Sequence, residues 1–244
     1  MRGLILSILC LQVTYISSKV IFPTVFATPF RCFVWDSACL KGLAKTIGPG
    51  YIQRIPEFSA LRLDPMGIDF QRLDQDGVIF DTTDTEVHGL SDMIVDEISV
   101  LTNASLSRMR FRTNLLFTGT YKCNGTMFFQ PISGEGRYAA SLKNVEVEIF
   151  NPYNIVRNEI GLEFLDAPDY QFRYVVKDKA NFRFDNLYYG DKERSDLMHS
   201  LLNANWEFIT EQYGRIYISR IISTMGKAYR SYFNLVPLRS LVEF

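Results

Sequence analysis

Two periodicities divide the chain. From Ile68 to Phe184 apolar and polar residues alternate, the mark of strands with one buried face. Met109, Phe111, Thr113, Leu115 and Phe117 are interleaved with Arg108, Arg110, Arg112 and Asn114, so one face is apolar and the other basic or polar. Tyr121, Cys123, Gly125, Met127 and Phe129 repeat the scheme, as do Val145, Val147 and Ile149 against Asn144, Glu146 and Glu148. Phe172, Tyr174 and Val176, then Phe182 and Phe184, complete the set. Turn residues at Asn124-Gly125 and Gly134-Glu135-Gly136 predict short connections and antiparallel pairing.

The second periodicity is helical. Asp196 to Asn234 has no proline, and as one helix it would span roughly 60 Å. Leu202, Trp206, Ile209, Tyr213 and Ile216 form one stripe, and Tyr217, Ile221, Met225, Ala228 and Tyr232 continue it on a rotated line. Glu207, Glu211, Arg215, Arg220, Lys227 and Arg230 interrupt the segment too often for a lipid span, and leucine heptads are absent. A winding apolar stripe on a long rod needs a wrapping. The predicted fold is therefore α+β: a long C-terminal helix wrapped by a strongly curved antiparallel β-sheet. A shorter helix is predicted over Ala38–Ile47, ended by Gly48-Pro49-Gly50.

The N-terminus changes the picture of where the protein works. Arg2 followed by the apolar run Leu4–Ile16 has the form of a secretory signal, with cleavage after Ala27 or, alternatively, after Ser18. Residues 28–244 then form a single domain in an extracellular, oxidising compartment. Cys10 leaves with the signal, and Cys32 and Cys39 are the natural disulfide pair. Two free thiols or half of a metal site are the alternatives, and no neighbouring histidine or second cysteine pair completes the latter. Cys123 reads as a buried small hydrophobe, with an intermolecular bridge or a reactive thiol as the alternatives. Two glycosylation sequons, at Asn103 and Asn124, agree with secretion; use of Asn124 requires Cys123 to point the other way.

The formal charge of −1, or −3 once Arg2 and Lys19 are removed, carries no nucleic-acid signature. Catalytic chemistry finds little to work with. His88 and His199 are the two histidines, each read as a surface or capping residue, and no nucleophile elbow, zinc pair or phosphate loop occurs. Asp74-Gln75-Asp76-Gly77 opens like a calcium loop but lacks the later ligands, so it reads as a turn. The expectation is a non-enzyme without metal or cofactor.

What the chain has in excess is aromatic surface, 19 Phe, 13 Tyr and 2 Trp. A sheet wrapped on a rod does not close tightly at its ends, and a tunnel between them would be lined by these residues. An elongated apolar ligand, an isoprenoid or a fatty acid, would gain about 0.8 kcal/mol per buried CH₂.

Several short motifs carry a family resemblance: Cys32 and Cys39 with Asp36 between them; Ile55-Pro56-Glu57 leading to Leu63-Asp64-Pro65; Val87-x-Gly89-Leu90-Ser91; Gly119-x-Tyr121-x-x-x-Gly125; Pro131-Ile132-x-Gly134-x-Gly136; Asn186-Leu187-Tyr188-x-Gly190; and Asn203-x-Asn205-Trp206. In this order and spacing the chain resembles the insect takeout and juvenile hormone-binding protein family along essentially all of its mature length. The resemblance implies a helix wrapped in a curved antiparallel sheet, an internal hydrophobic tunnel, secretion into haemolymph or sensory fluid, and roles in hormone transport, feeding, circadian output or chemosensation. The hormone-binding branch has a second, C-terminal disulfide. This chain has no cysteine after Cys123 and so is closer to the takeout branch.

The functional expectation is a secreted, monomeric carrier of a small hydrophobic ligand. Strand alternation and helical spacing nominate Phe111, Leu115, Phe117, Met127, Phe129, Trp206, Ile209, Tyr213 and Ile216 as the tunnel lining. Two readings from other classes compete with it. A membrane-docking lipid-transfer module predicts a basic or apolar patch at a tunnel mouth and liposome binding that depends on anionic lipid. A secreted interaction protein with a solid core, meeting an unknown receptor, predicts no cavity.

Overall fold

A computed structural model of the chain describes residues 31–49 and 62–244. The proposed leader, residues 1–27, and the Ile55-Pro56-Glu57 motif lie outside the described residues. Strand β1 (Cys32–Phe33) and helix α1 (Ser37–Thr46) come first, with Asp36 capping α1 by accepting from the Cys39 amide at 2.9 Å. The Cys32–Cys39 disulfide is formed. Strands β2 (Met66–Gln75), β3 (Val78–His88), β4 (Ile94–Leu101), β5 (Leu106–Met127) and β6 (Gln130–Pro152) follow. After the small hairpin of β7 (Asn154–Arg157) and β8 (Glu163–Asp166) comes β9 (Gln171–Phe184). The main sheet runs β2-β3-β5-β6-β9, with β4 paired to the first half of β5, and every pairing in it is antiparallel. The short strand β10 (Val242–Glu243) returns beside β1 in parallel, so the two ends of the described chain meet.

The predicted curvature has a visible cause. Register shifts fall at Thr83/Glu86 in β3, Thr113/Leu115 in β5 and Lys143/Val145 in β6, a row of bulges crossing the sheet. Asp84 and Asn144 take left-handed backbone there, φ 50° and 53°. Side chains of the same row hold the bend: the Asn144 amide donates to Asn114 Oδ1 at 2.8 Å, and Asn144 Nδ2 donates to Asp178 Oδ1 at 3.1 Å. The extra residue falls in β3, β6 and β9 in turn, where it increases the local twist and helps fold the sheet over.

The turns differ from the sequence expectation. Asn124-Gly125 lies inside β5 and Gly134-Glu135-Gly136 inside β6, and the hairpin turn is Phe128-Phe129. The glycines serve close approach instead. A Cβ on Gly125 would come within 2.9 Å of Val78 Cα, and one on Gly136 would sit 2.5 Å from the Asp185 carbonyl. Tyr121 donates its hydroxyl to that same Asp185 carbonyl at 2.9 Å, and Asn186 Nδ2 donates to the Glu135 carbonyl at 3.0 Å. Asp64 likewise accepts from the Gly89 and Ser91 amides. Several of the motifs that carried the resemblance are therefore, among the described residues, crossing points where separate stretches of backbone are tied together.

The rod is jointed. In place of one helix there are three: α2 (Lys192–Ala204), α3 (Trp206–Tyr213) and α4 (Arg215–Leu235). Asn205 (φ −106°, ψ 30°) breaks the first joint. Gly214 forms the second, where a side chain would press within 2.8 Å of the Tyr174 hydroxyl, which donates to the Thr210 carbonyl. Helix α2 also covers the free edge of β9. Asn203 accepts from the Phe182 amide at 2.7 Å and donates to its carbonyl at 3.0 Å, and His199 Nε2 accepts from the Phe184 amide at 2.9 Å. His199 is thus a cap, for a strand edge.

Candidate functional site

Between the inner face of the sheet and the jointed part of the rod lies a cavity of about 120 Å³. Strands β2 and β3 contribute Leu73, Val78 and Phe80; β5 contributes Phe117, Cys123 and Met127; β6 contributes Ile132, Tyr138, Ala140 and Leu142; β9 contributes Phe182 and Phe184. The helical wall is Leu202 from α2, Ile209, Thr210 and Tyr213 from α3, the Gly214 joint, and Tyr217 and Ile218 from α4. No charged side chain is among these residues. Apolar holes of about 150 Å³ stay dry and bind benzene, so this one suits a ring or a short run of hydrocarbon.

Four of the nine nominated residues meet at this wall: Phe117, Met127, Ile209 and Tyr213. Phe117 stands edge-on to Tyr217, ring centroids 6.0 Å apart. Phe111 and Leu115 face inward as alternation predicts but are packed core, 1% and 3% exposed, off the cavity wall. Trp206, packed against the core, and Ile216 are half-buried and also off the wall. The helical wall advances by four residues, Ile209-Tyr213-Tyr217 and Thr210-Gly214-Ile218. Each such step turns it by about 40°, so Ile216 falls to one side. Phe129 is corrected outright: alternation stops at the hairpin turn, where Phe129 sits at φ 61° and is 98% exposed.

Sequence reasoning nominated none of the β6 and β9 wall. The signal was present as cross-strand register: Phe117 lies opposite Ala140, Phe80 opposite Cys123, and Tyr138 opposite Phe184. That register depends on the turn at Phe128-Phe129, which carries no ordinary turn residue.

Three of the wall's hydroxyls are engaged by protein. The Tyr138 hydroxyl bonds Thr85 at 2.7 Å, Tyr217 bonds Thr82 at 3.3 Å, and Thr210 donates to the Glu207 carbonyl at 2.9 Å. Burial pushes the Tyr138 and Tyr217 hydroxyls above their ordinary pKa, against the hydrogen bonds from the threonines. Burial also pushes the Cys123 thiol up to about 12, which keeps it protonated at neutral pH. Cys123 is buried while Asn124 is exposed, the arrangement that the Asn124 sequon requires. Nothing on this wall is arranged as a nucleophile with its base. Among the described residues no group of three or more His, Cys, Asp or Glu is placed to hold a metal ion.

The family model for haemolymph juvenile hormone binding protein matches residues 6–243. The chain belongs to this family. Among curated relatives, the "Circadian clock-controlled protein daywake" of Drosophila melanogaster is 23% identical over 206 residues, 79% of each chain. Its Drosophila yakuba counterpart is 21% identical over the same length. The crystal structure of Epiphyas postvittana Takeout 1 superposes with a TM-score of 0.84 at 24% identity, covering 88% of this chain and 99% of that one. The family's fold is therefore this chain's fold: a curved antiparallel sheet with C-terminal helices, open and not a closed barrel.

Proposed function

We propose that this chain is a secreted, non-catalytic carrier that holds a small hydrophobic molecule, of isoprenoid, hormone-like or fatty-acid character, in the cavity between the sheet and helix α3. The observation that carries this reading is the wall itself. Side chains from five strands and three helices converge on one apolar space, and the hydroxyls of Tyr138, Tyr217 and Thr210 are already bonded to protein. A ligand held there is selected by apolar area and shape, at about 0.8 kcal/mol per buried CH₂. A long chain requires the wall side chains to repack around it.

Membership of a family whose description names haemolymph and a hormone supports carriage and secretion together. The apolar run at residues 4–16, the Cys32–Cys39 disulfide and the exposed Asn103 and Asn124 sequons support the same compartment. On this reading residues 1–27 are a leader, residues 28–244 are the ligand-binding domain, and the working unit is a monomer. Among the described residues no helix is long and apolar enough to cross a membrane. Likeness to a clock-controlled relative supports a role in rhythmic signalling over bulk lipid storage.

The test is extraction of protein secreted from a eukaryotic host with organic solvent, followed by mass spectrometry. The carrier reading expects a stoichiometric hydrophobic compound, and displacement of a fluorescent fatty acid or isoprenoid by that compound. Protein that carries nothing and displaces neither probe contradicts it and favours the solid-core interaction protein.

A further inference from the structure

Ligand storage does not explain the backbone beside the cavity. Four aromatic residues there lie in the left-handed region: Phe128 and Phe129 (φ 51° and 61°), which form the turn between β5 and β6, and Tyr188 and Tyr189 (φ 52° and 54°). The two pairs are joined, because the Tyr188 hydroxyl donates to the Pro131 carbonyl at 2.8 Å. Glycine and asparagine ordinarily occupy such turns, and bulky residues in them are strained. Strain of this kind persists where a surface is put to use.

The surface it displays is apolar and continuous with the cavity. Phe129 is 98% exposed and Tyr189 64%. Phe128 packs 6.1 Å from Phe208, itself 49% exposed, and Phe208 meets the cavity-wall residue Tyr213 edge-on at 6.2 Å. Met127, next to the turn, lines the cavity. From Cys123 to Gly134 the sequence has no charged residue. On the Tyr213 side Asp76 accepts from Gln212 at 2.9 Å, and the exposed Glu207 neighbours Phe208 on α3.

Resting on the carrier reading, we propose that the Phe128-Phe129 tip docks on the surface of a lipid bilayer and that ligand passes there between bilayer and cavity. Exposed aromatics at an uncharged tip suit the boundary between headgroups and acyl chains, which accepts rings and rejects charge. The Phe128-Phe129 turn itself carries no basic residue, and Arg194 is stacked over the Tyr188 ring at 4.4 Å, so docking through the turn should depend little on anionic lipid, contrary to the dependence that a basic patch would impose. Continuity of the tip with the ligand cavity through Phe208, Tyr213 and Met127 favours a bilayer, itself a source of apolar ligand, over a partner protein.

Because Phe129 is off the cavity wall, Phe129→Ser separates docking from storage. Protein loaded with an anthroyloxy-labelled fatty acid is mixed with phosphatidylcholine vesicles carrying an energy-transfer acceptor. The wild-type transfer rate should rise with vesicle concentration. In Phe129→Ser it should become independent of concentration and about fivefold slower at high vesicle concentration, with fatty-acid affinity within about twofold of wild type. Phe129→Trp should keep the wild-type rate, and its added indole emission should shift blue on vesicles. A wild-type rate that ignores vesicle concentration, or a Phe129→Ser rate that still follows it, overturns the proposal. If the protein takes up no fatty acid, the carrier reading falls but docking is still decided by flotation of unloaded protein with the same vesicles. Flotation lost in Phe129→Ser upholds it, and wild type that fails to float overturns it. Self-association lost in Phe129→Ser without any vesicle effect assigns the tip to a second copy of the chain and also overturns it.

Discussion

Phe111 and Phe117 are on the same face of the same strand and almost equally hidden, 1% and 4% exposed, yet Phe117 borders the cavity and Phe111 does not. Alternation alone cannot tell them apart, because it sets only which face is inward. What differs is their surroundings. Phe111 is paired with Val95 and Val147 on the two flanking strands, both buried. The outer face of that end is locked by charge: the nearly buried Glu148 accepts from both Arg108 and Arg173, Glu97 pairs with Arg108 and Arg110, and Asp96 pairs with Arg112. Phe117 lies beyond the shift at Thr113/Leu115, opposite the small Ala140 and against the jointed helix, whose Gly214 adds no side chain. One strand therefore serves a packed end and a compliant end, and the bulges between them let the two differ.

The sharpest way to break this comparison is to truncate both rings. Phe111→Ala should lose about 3–5 kcal/mol in urea denaturation and leave ligand affinity nearly unchanged for the folded fraction. Phe117→Ala should lose only roughly 2 kcal/mol, since part of its surface already faces empty space, while weakening ligand binding. Equal stability losses would erase the distinction between the ends.

Enlarging small residues asks the converse question. Ala180 is fully buried opposite Leu142, and Ala180→Phe should cost about 1–3 kcal/mol or more through overpacking. Ala140→Phe, directed into the cavity, should stay within about 1 kcal/mol of wild type by the same assay.

A smaller effect is expected from acid. Burial works to raise the Glu148 carboxyl, but hydrogen bonds from Arg173 and Arg108, with their charges, override it and hold it below its ordinary 4.5. A carboxyl lowered in the folded state contributes its full stabilisation above 4.5 and loses it as pH falls through the folded value. Denaturation measured between about pH 5 and about pH 2 should therefore fall more steeply for wild type than for Glu148→Gln. Parallel curves would remove this network from the account of the packed end. The smallest change concerns Cys123, whose raised thiol pKa should make labelling by an aromatic disulfide slow at pH 8 and slower when ligand is bound. Rapid labelling insensitive to ligand would place the thiol outside the occupied space.

The inward strand face, the disulfide and the helical C-terminus were all legible, because each rests on a local pattern. Three features were not, for identifiable reasons. Phe128-Phe129 turns the chain without a turn residue, while Asn124-Gly125 and Gly134-Glu135-Gly136, which look like turns, are glycines placed for close backbone approach. Asn205 and Gly214 joint the rod although neither residue alone forbids a helix. The cavity wall follows from both of these: turn position fixes register, and the joints determine which helical residues face inward. Hence Phe117, Met127, Ile209 and Tyr213 could be found from sequence, whereas Ala140, Phe184 and Tyr217 needed the fold.

The central claim is that the space beside Ala140 is a ligand site and not a packing fault. Titration of a fluorescent fatty acid or isoprenoid into wild type and Ala140→Phe tests it most directly, with thermal unfolding of both recorded alongside. The account predicts that Ala140→Phe keeps its unfolding temperature and binds at least about tenfold more weakly, a loss of roughly 1.4 kcal/mol. Equal binding by an equally stable Ala140→Phe protein would contradict it.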